Sequence, residues 1–359
     1  MKKKISIITS FPISIPHPRV EMEKKVLVEA GFEVKVFSFP RAPGLWERGS
    51  NYLSFNNFKK HLFKDVINCI SDEDLIILYD YALLPATKAI RDKKKKILYE
   101  SIDSMVHLNF YEIEKRFAFS KLFKKLFIGY YSGKEKNWAA HCDGIIVNSN
   151  ALVNYFKPVQ SSLIYYSSPF EGAFIPQQPP SETALLYLGL LSKDKGADEM
   201  LELQKSLRIP LYILGDIPDE SLKNRVIQNS QVFWKARQKS EALTNSLDHL
   251  MKKYRLLGCS MIHPIHYSYA TQEANKDQDY LALGIPIIGN SRRPTYEKIQ
   301  AGCGILYTEF DKIKAIIENI DLYKTYSARC LEYYQKNYSY QKFRGALLQV
   351  VERCIGQAI

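Results

Sequence analysis

Paired cysteines are missing from this sequence. Its six cysteines (Cys69, Cys142, Cys259, Cys303, Cys330 and Cys354) are scattered along 359 residues, and no two form a C-x-x-C pair. That excludes a zinc finger or ribbon and a disulfide framework, and it reads as the reduced thiols of a cytoplasmic protein. No apolar run approaches the roughly 18 residues that a membrane span requires. The start, Met1-Lys2-Lys3-Lys4 before Ile5-Ser6-Ile7-Ile8, has the charge pattern of a signal peptide. Thr9, Ser10 and Pro12 then break the run, and no small-residue cleavage site follows, so a first β-strand is the expectation. A fixed-period repeat is absent, and so is any nucleic-acid-binding module, which argues against a nucleic-acid partner.

What remains is ordinary foldable composition: 46% hydrophobic and 25% charged residues, with a net charge of +12. The length suits two domains of roughly 100–200 residues, each with its own core. The basic excess lies in short clusters at residues 91–96 and 115–136, inside foldable sequence rather than in a tail. Such a surface suits phosphate-bearing partners: diphosphate ligands or anionic lipid headgroups.

Strand-like apolar runs alternate with amphipathic helical runs, which predicts α/β architecture with parallel sheets. In the first half the strands fall at residues 5–9, 33–37, 75–79, 96–100, 144–148 and 162–166. A helix over 19–30 is stopped by Gly31. Residues 169–182, with Pro176, Pro179 and Pro180, have no periodicity and read as a linker. The pattern then restarts, with strands at 184–188, 211–214, 231–234, 259–262, 285–289 and 304–307, and helices at 195–207, 240–254 and through the tail. The expected layout is a Rossmann-like domain at 1–168, the linker, a second Rossmann-like domain at 183–338, and a terminal helix at 339–359 packing back on the first domain.

The segment from Asn275 to Gly289 (NKDQDYLALGIPIIG) carries the most information. It reads as a short helix stopped by Gly284, feeding a buried strand opened by Pro286. Asp279 stands one turn before the stop, near the carboxyl-end rim of a parallel sheet, where nucleotides dock. This run resembles the N-K-x-x-[ED]-Y-x-A-x-G-x-P-[VI] block of retaining GT-B glycosyltransferases of family 4. A second run, Tyr187-Leu188-Gly189-Leu190-Leu191-Ser192-Lys193-Asp194-Lys195-Gly196, is similar to that family's Y-x-G-R-x-x-x-x-K-G loop, with Leu190 in place of the arginine. A third, Pro18-Arg19-Val20-Glu21 with Gly31-Phe32-Glu33-Val34, resembles the family's first βα unit.

The resemblance implies two Rossmann-like domains facing a central cleft, and retaining transfer from a nucleotide-sugar donor, UDP- or GDP-linked. The acceptor would be a hydroxyl of a glycan or lipid-linked acceptor, in bacterial surface polysaccharide synthesis. It implies donor contacts at Gly189, Lys195, Glu273, Asn275, Lys276 and Asp279, the last holding the ribose hydroxyls. Arg292 and Arg293 stand where the family has a glycine-rich phosphate loop, and arginine binds phosphate bidentately, so they are candidates for the missing charge. Asp103, after the strand at 96–100, is a candidate acceptor-side carboxylate, and His17 and Arg19 are candidate acceptor contacts. Thr271 replaces the first glutamate of the family's E-x7-E pair, and Glu273 is its nearest substitute. No metal or other cofactor is required, because fixed cations and loop amides can meet the charge on the leaving phosphate. Asp277-Gln278-Asp279 formally matches a D-x-D metal motif, but it lies in a helix, so we read it as coincidence.

Lys115 to Tyr131 reads as a basic aromatic helix, with Phe119, Leu122, Phe123, Leu126, Phe127 and Tyr130 on one face and Lys121, Lys124 and Lys125 largely opposite. Two readings stay open: peripheral contact with anionic lipid at the inner face of a membrane, or burial of that face in the first domain's core. Two alternatives to the transferase also stand. One is a non-catalytic GT-B partner of an active transferase, suggested by Leu190 and Thr271. The other is a nucleotide-sugar epimerase on the same fold.

Overall fold

The structure is a computed structural model. It describes residues 2–9, 17–39, 64–79, 81–101, 106–107, 121–173, 178–236, 238, 240–265 and 267–356. The chain divides into two compact units: residues 1–165 with 266–268 and 341–359, and residues 166–265 with 269–340.

The first unit holds β1 (Lys4–Thr9), α1 (Pro18–Glu29), β2 (Glu33–Ser38), β3 (Leu75–Tyr79), α2 (Thr87–Asp92), β4 (Lys96–Ser101), α3 (Lys121–Ala139), β5 (Gly144–Val147), α4 (Asn150–Tyr155) and β6 (Ser161–Leu163). Its sheet is parallel, in the order β2-β1-β3-β4-β5-β6. β3 is buried along its whole length, as a run of Leu, Ile and Tyr covered on both faces must be. β2 lies at the edge, where its alternating Glu33-Val34-Lys35-Val36 is only half covered. Pro18 opens α1 at a position where no amide is needed, and His17 caps the helix by accepting from the Arg19 amide at 3.3 Å. The order in which strands are added to the sheet reverses between β1 and β3, and His17 and Arg19 follow β1.

The second unit holds β7 (Thr183–Leu188), α5 (Ala197–Leu207), β8 (Leu211–Leu214), α6 (Glu220–Gln228), β9 (Val232–Lys235), α7 (Ser240–Lys253), β10 (Arg255–Ser260), α8 (Asn275–Ala282), β11 (Ile287–Gly289), α9 (Arg293–Lys298), β12 (Gly304–Leu306), α10 (Phe310–Glu318) and α11 (Ile320–Asn337). Its parallel sheet runs β12-β11-β10-β7-β8-β9. Counted within the unit, the order is six-five-four-one-two-three, that of a doubly wound dinucleotide fold. Its topological switch point lies between β7 and β10. Leu185, Tyr187, Leu211, Ile213, Leu257 and Ile288 from four neighbouring strands fill one core beneath α5, α6 and α10.

The last helix, α12 (Tyr340–Ile355), belongs to the first unit from Gln341 onward. There Phe343 lies 5.6 Å from the Arg19 guanidinium, and Arg353 donates to the Ser162 hydroxyl at 2.9 Å.

Two expected elements shift. β10 starts four residues earlier than the apolar run suggests, at Arg255. That arginine is buried because it donates to the Ser181 and Ile317 carbonyls at 2.9 and 2.7 Å. The helix expected from Lys195 begins at Ala197, after a single 3-10 turn at Lys193–Lys195. Among the described residues no helix is long and apolar enough to cross a membrane.

Candidate functional site

The switch point of the second unit is held open by one side chain. β7 and β10 pair in register only as far as Leu186 and Gly258. Beyond that the Tyr280 hydroxyl fills the gap. It accepts from the Leu188 amide at 3.0 Å and faces the carbonyls of Leu186 and Cys259 at 3.1 and 3.3 Å. Gly258 makes room for the ring, since a Cβ there would stand 2.5 Å from the Tyr280 Cγ. Tyr280 lies in the second turn of α8, so this wedge fixes α8 against the carboxyl ends of both strands.

The loop after β7 approaches from the other side. Gly196 has φ +78°, and a Cβ there would stand 2.4 Å from the Met261 carbonyl oxygen, so only glycine lets the loop meet the end of β10 this closely. Tyr187 donates to the Leu190 carbonyl at 2.8 Å and so pins the loop. Lys195 is half-buried on the 3-10 turn that enters α5. Leu190, where the related loops carry arginine, is 43% exposed.

α8 starts at a bare end. Its N-cap is Ala274, which offers no side-chain acceptor to the first amides. Asn275 is exposed. Lys276 is half-buried as a residue, but its Nζ is buried and has no hydrogen-bond partner among the described residues. That Nζ stands 3.9 Å from the Tyr187 ring centroid. Burial holds its ammonium well below the usual lysine range, Lys195 and Arg292 push the same way, and Asp277 opposes them.

Asp277 and Asp279 turn to different neighbours, as residues two apart on a helix must. Asp277 is fully buried and accepts from the Ser260 hydroxyl and, at 2.9 Å, from that of Thr295. Arg292 and Lys298 flank it at 3.6 and 3.7 Å. Asp279 is half-buried and accepts from the Ser168 hydroxyl at 2.7 Å. Burial pushes its carboxyl up to about 7, against the Ser168 hydrogen bond and with help from Asp277. Ser168 is a member of the site that the sequence did not single out. Its position is set by the Tyr334 hydroxyl, which accepts from the Ser168 amide at 3.0 Å and donates to Glu171.

The remaining expected residues are placed as follows. Arg292 is buried at 3% exposure, donating to the Tyr269 and Gln272 carbonyls and, at 2.7 Å, to Thr295. Arg293 is 84% exposed and paired with Glu297 at 3.0 Å. Glu273 accepts from buried Lys298 at 2.6 Å. Gly189 has φ +98° and its amide bonds the Leu214 carbonyl at 3.0 Å. Near the far edge, Phe233 stacks on Tyr212 at 4.9 Å, and the Trp234 indole donates to the Gly215 carbonyl at 2.8 Å.

In the first unit, Arg19 is buried between Glu23, at 3.3 Å, and Glu100. Its Nη1 and Nη2 have no hydrogen-bond partner among the described residues. Burial opposes its charge, but Glu100, Tyr79 and Glu23 raise it overall. Burial and the adjacent Glu100 push the Glu23 carboxyl well above the usual range, with Arg19 opposing. The His17 ring lies 5.7 Å from that of Tyr79. Asp103 lies outside the described residues. Among those described, no group of three His, Cys, Asp or Glu side chains is placed to hold a metal ion.

No protein-family model matches the chain, and no curated protein matches it in sequence. Its likeness is to solved structures. The E. coli trehalose-6-phosphate enzyme bound with UDP-2-fluoro glucose superposes with a TM-score of 0.67 at 10% identity, over 99% of each chain. The UDP-forming α,α-trehalose-phosphate synthase of Burkholderia vietnamiensis gives 0.68 at 9% identity, over 98% of this chain and 100% of that one. The synthase of Burkholderia xenovorans, solved with glucose-6-phosphate, gives 0.64 at 8% identity, over 98% and 100%. At such identity the likeness is one of fold, and the fold is GT-B.

Proposed function

We propose that this protein is a retaining glycosyltransferase that takes a sugar from a nucleoside diphosphate. The observation that supports this best is the switch point of the second unit. There the Lys195 loop, the uncapped start of α8 and the half-buried Asp279 carboxylate converge in a doubly wound sheet. Loop amides and Lys195 suit a diphosphate, and Asp279 suits the two ribose hydroxyls. The fold is that of enzymes solved with a UDP-sugar analogue and studied as retaining transferases, which makes a UDP-sugar the first donor to test. The acceptor would be a hydroxyl on a glycan or a lipid-linked sugar. In such a site the charge developing on the leaving phosphate is met by fixed cations and amides, and the sugar is attacked from the face it leaves.

The test is thermal stability with UDP, GDP, ADP, CMP and dTDP. At a hundred times the dissociation constant a ligand adds about 2.7 kcal/mol, a clear shift. One nucleotide should stabilise the protein, with the shift lost in Lys195→Ala and Asp279→Ala. Release of that nucleotide from its sugar, dependent on acceptor, then separates a transferase from an epimerase. No shift with any of the five would favour a non-catalytic partner, the reading supported by Leu190 and by the internal pairing of Arg292 and Glu273.

We propose in addition that the outward face of α3 rests on an anionic membrane surface. Leu122, Phe123, Leu126 and Tyr130 of α3 are 68%, 45%, 65% and 57% exposed, while Ile128, Tyr131 and Trp138 face the core. Exposed Lys125 and the half-buried Lys124 and Lys134 border the outward face, with the Lys134 Nζ 4.4 Å from the Tyr130 ring. An apolar stripe with basic flanks suits an anionic lipid surface. Binding to phosphatidylserine vesicles should exceed that to phosphatidylcholine vesicles and fall in Leu122→Glu/Leu126→Glu. Equal binding to both, or none, sinks the membrane reading.

A further inference from the structure

We propose that Lys276 supplies the second positive charge on the donor's diphosphate, replacing from α8 the arginine whose place in the β7 loop is taken by Leu190. The inference rests on the donor site proposed above, and it explains how that site works without the arginine.

The geometry links the two positions through one side chain. Tyr187 ends β7, and its hydroxyl holds the Leu190 carbonyl at 2.8 Å. The Lys276 Nζ lies against that same ring, 3.9 Å from its centroid. The missing cation and the spare one therefore meet at the same tyrosine, one from the loop and one from the helix start. The Lys276 Nζ is buried with three donors and no hydrogen-bond acceptor among the described residues, a costly condition that a structural role does not require. Its backbone lies in the first turn of a helix whose N-cap leaves amides bare, so amide and ammonium are offered by the same residue.

The groups around it explain why it stands alone. Lys195 faces it from the β7 loop, Tyr187 from β7, Cys259 from β10 and Arg292 from the segment before α9, while Asp277 on its own helix supplies the opposing carboxylate. That carboxylate is already shared by Ser260, Thr295, Arg292 and Lys298. A ligand carrying two negative phosphates restores the balance and favours the charged lysine, so binding takes up a proton. Affinity is then constant below the lowered value of the free protein and falls as pH rises above it.

The experiment is calorimetric titration of the whole protein with UDP and GDP between pH 8.0 and 9.5, where phosphate and Asp279 are both ionised. The wild type should bind one of them, take up a proton as judged from two buffers of different ionisation heat, and weaken as pH rises. Lys276→Met should bind about ten- to a hundredfold more weakly, with no proton uptake and a flat pH profile. Its ligand-free melting temperature should rise, because a buried amine with no hydrogen-bond partner among the described residues is gone. Leu190→Arg added to Lys276→Met should restore affinity without restoring the pH dependence. Unchanged affinity and proton uptake in a folded Lys276→Met overturns the inference and leaves the donor site standing. Failure of Leu190→Arg to rescue also counts against it, since the two cations would then not share a target. Absence of binding to wild type, by contrast, removes the donor reading itself.

Discussion

Both units bury a charged cluster near the carboxyl ends of their strands, and the two clusters are out of balance in opposite directions. In the first unit two carboxylates, Glu23 and Glu100, face one guanidinium, Arg19. In the second, Arg292, Lys298 and Lys276 crowd around Asp277, with Glu273 bonded to Lys298 and also favouring the Arg292 charge. Burial magnifies any such imbalance, since a charge without water or partner is expensive. The first cluster relieves its excess by pushing the Glu23 carboxyl toward its neutral form, through burial and the adjacent Glu100. The second leaves the buried Lys276 amine without a hydrogen-bond partner among the described residues, which is where an anionic ligand has most to gain. Cluster sign, rather than cluster size, separates a ligand-seeking site from a self-contained one.

The comparison predicts which deletions hurt. Removing the minority charge should be the severe change in each unit. Arg19→Met strands two buried carboxyl groups, and Asp277→Asn removes the carboxylate beside Arg292 and leaves Lys298 with Glu273 alone. Each should cost about 3–5 kcal/mol in urea unfolding. Equal, small costs for both would mean that water enters these clusters and that the imbalance is not felt.

The Asp279 carboxyl sharpens the second half of the comparison. Its value near 7 lies above the roughly 3.9 of an unfolded aspartate. The folded state therefore holds a proton between these values, and the stability it contributes is lost as pH rises through 7. Ribose hydroxyls donate to the ionised form, so nucleotide affinity should rise between pH 6 and 8 as the carboxyl ionises. Asp279→Asn should bind about tenfold more weakly at pH 8 and keep only the shallower slope of the phosphate's own ionisation. An unaltered profile would take Asp279 off the ribose.

Much of this was readable along the chain. The apolar runs located the twelve strands of the described residues, because parallel strands covered on both faces cannot hide their composition. The block ending in Gly284-Ile285-Pro286 marked both helix stop and strand, and Gly284 sits at φ +63°. β10 was misjudged at its start because Arg255 looks like a solvated residue and is buried by carbonyls 62 and 74 positions away. The short helices α2, α4, α6 and α9 were not read; six to nine residues carry too little periodicity. Lys195 and Asp279 could be placed beside the switch point because the loop and the helix that carry them are local. Ser168 could not, since its partner lies 111 residues away. Nor could the burial of Arg292 be read, since it depends on Asp277 and Thr295 meeting across separate elements.

Within the first cluster, Glu23→Gln is the counterpart of Lys276→Met, since each removes a member of the local majority. The Glu23 carboxyl is already pushed toward its neutral form by burial and Glu100. A neutral amide of the same shape changes little, so stability should stay within about 1 kcal/mol of wild type at pH 7. A loss as large as that of Arg19→Met would show that Glu23 is ionised and needed, and the opposition between the two units would fail.

The smallest effect is expected at Arg293, beside Arg292 in sequence and unlike it in setting. Arg292 is buried among carbonyls and Asp277, whereas Arg293 projects 84% into solvent with Glu297 one turn along α9. An exposed i,i+4 pair is worth at most about 0.5 kcal/mol and is screened by salt. Arg293→Ala should therefore leave stability nearly unchanged, and nucleotide affinity should drop less than for Lys276→Met. If Arg293→Ala weakens binding as much as the loss of Lys276, the loop before α9 closes on the ligand and brings this arginine to the phosphates. The missing charge of Leu190 would then be made up from two elements instead of one.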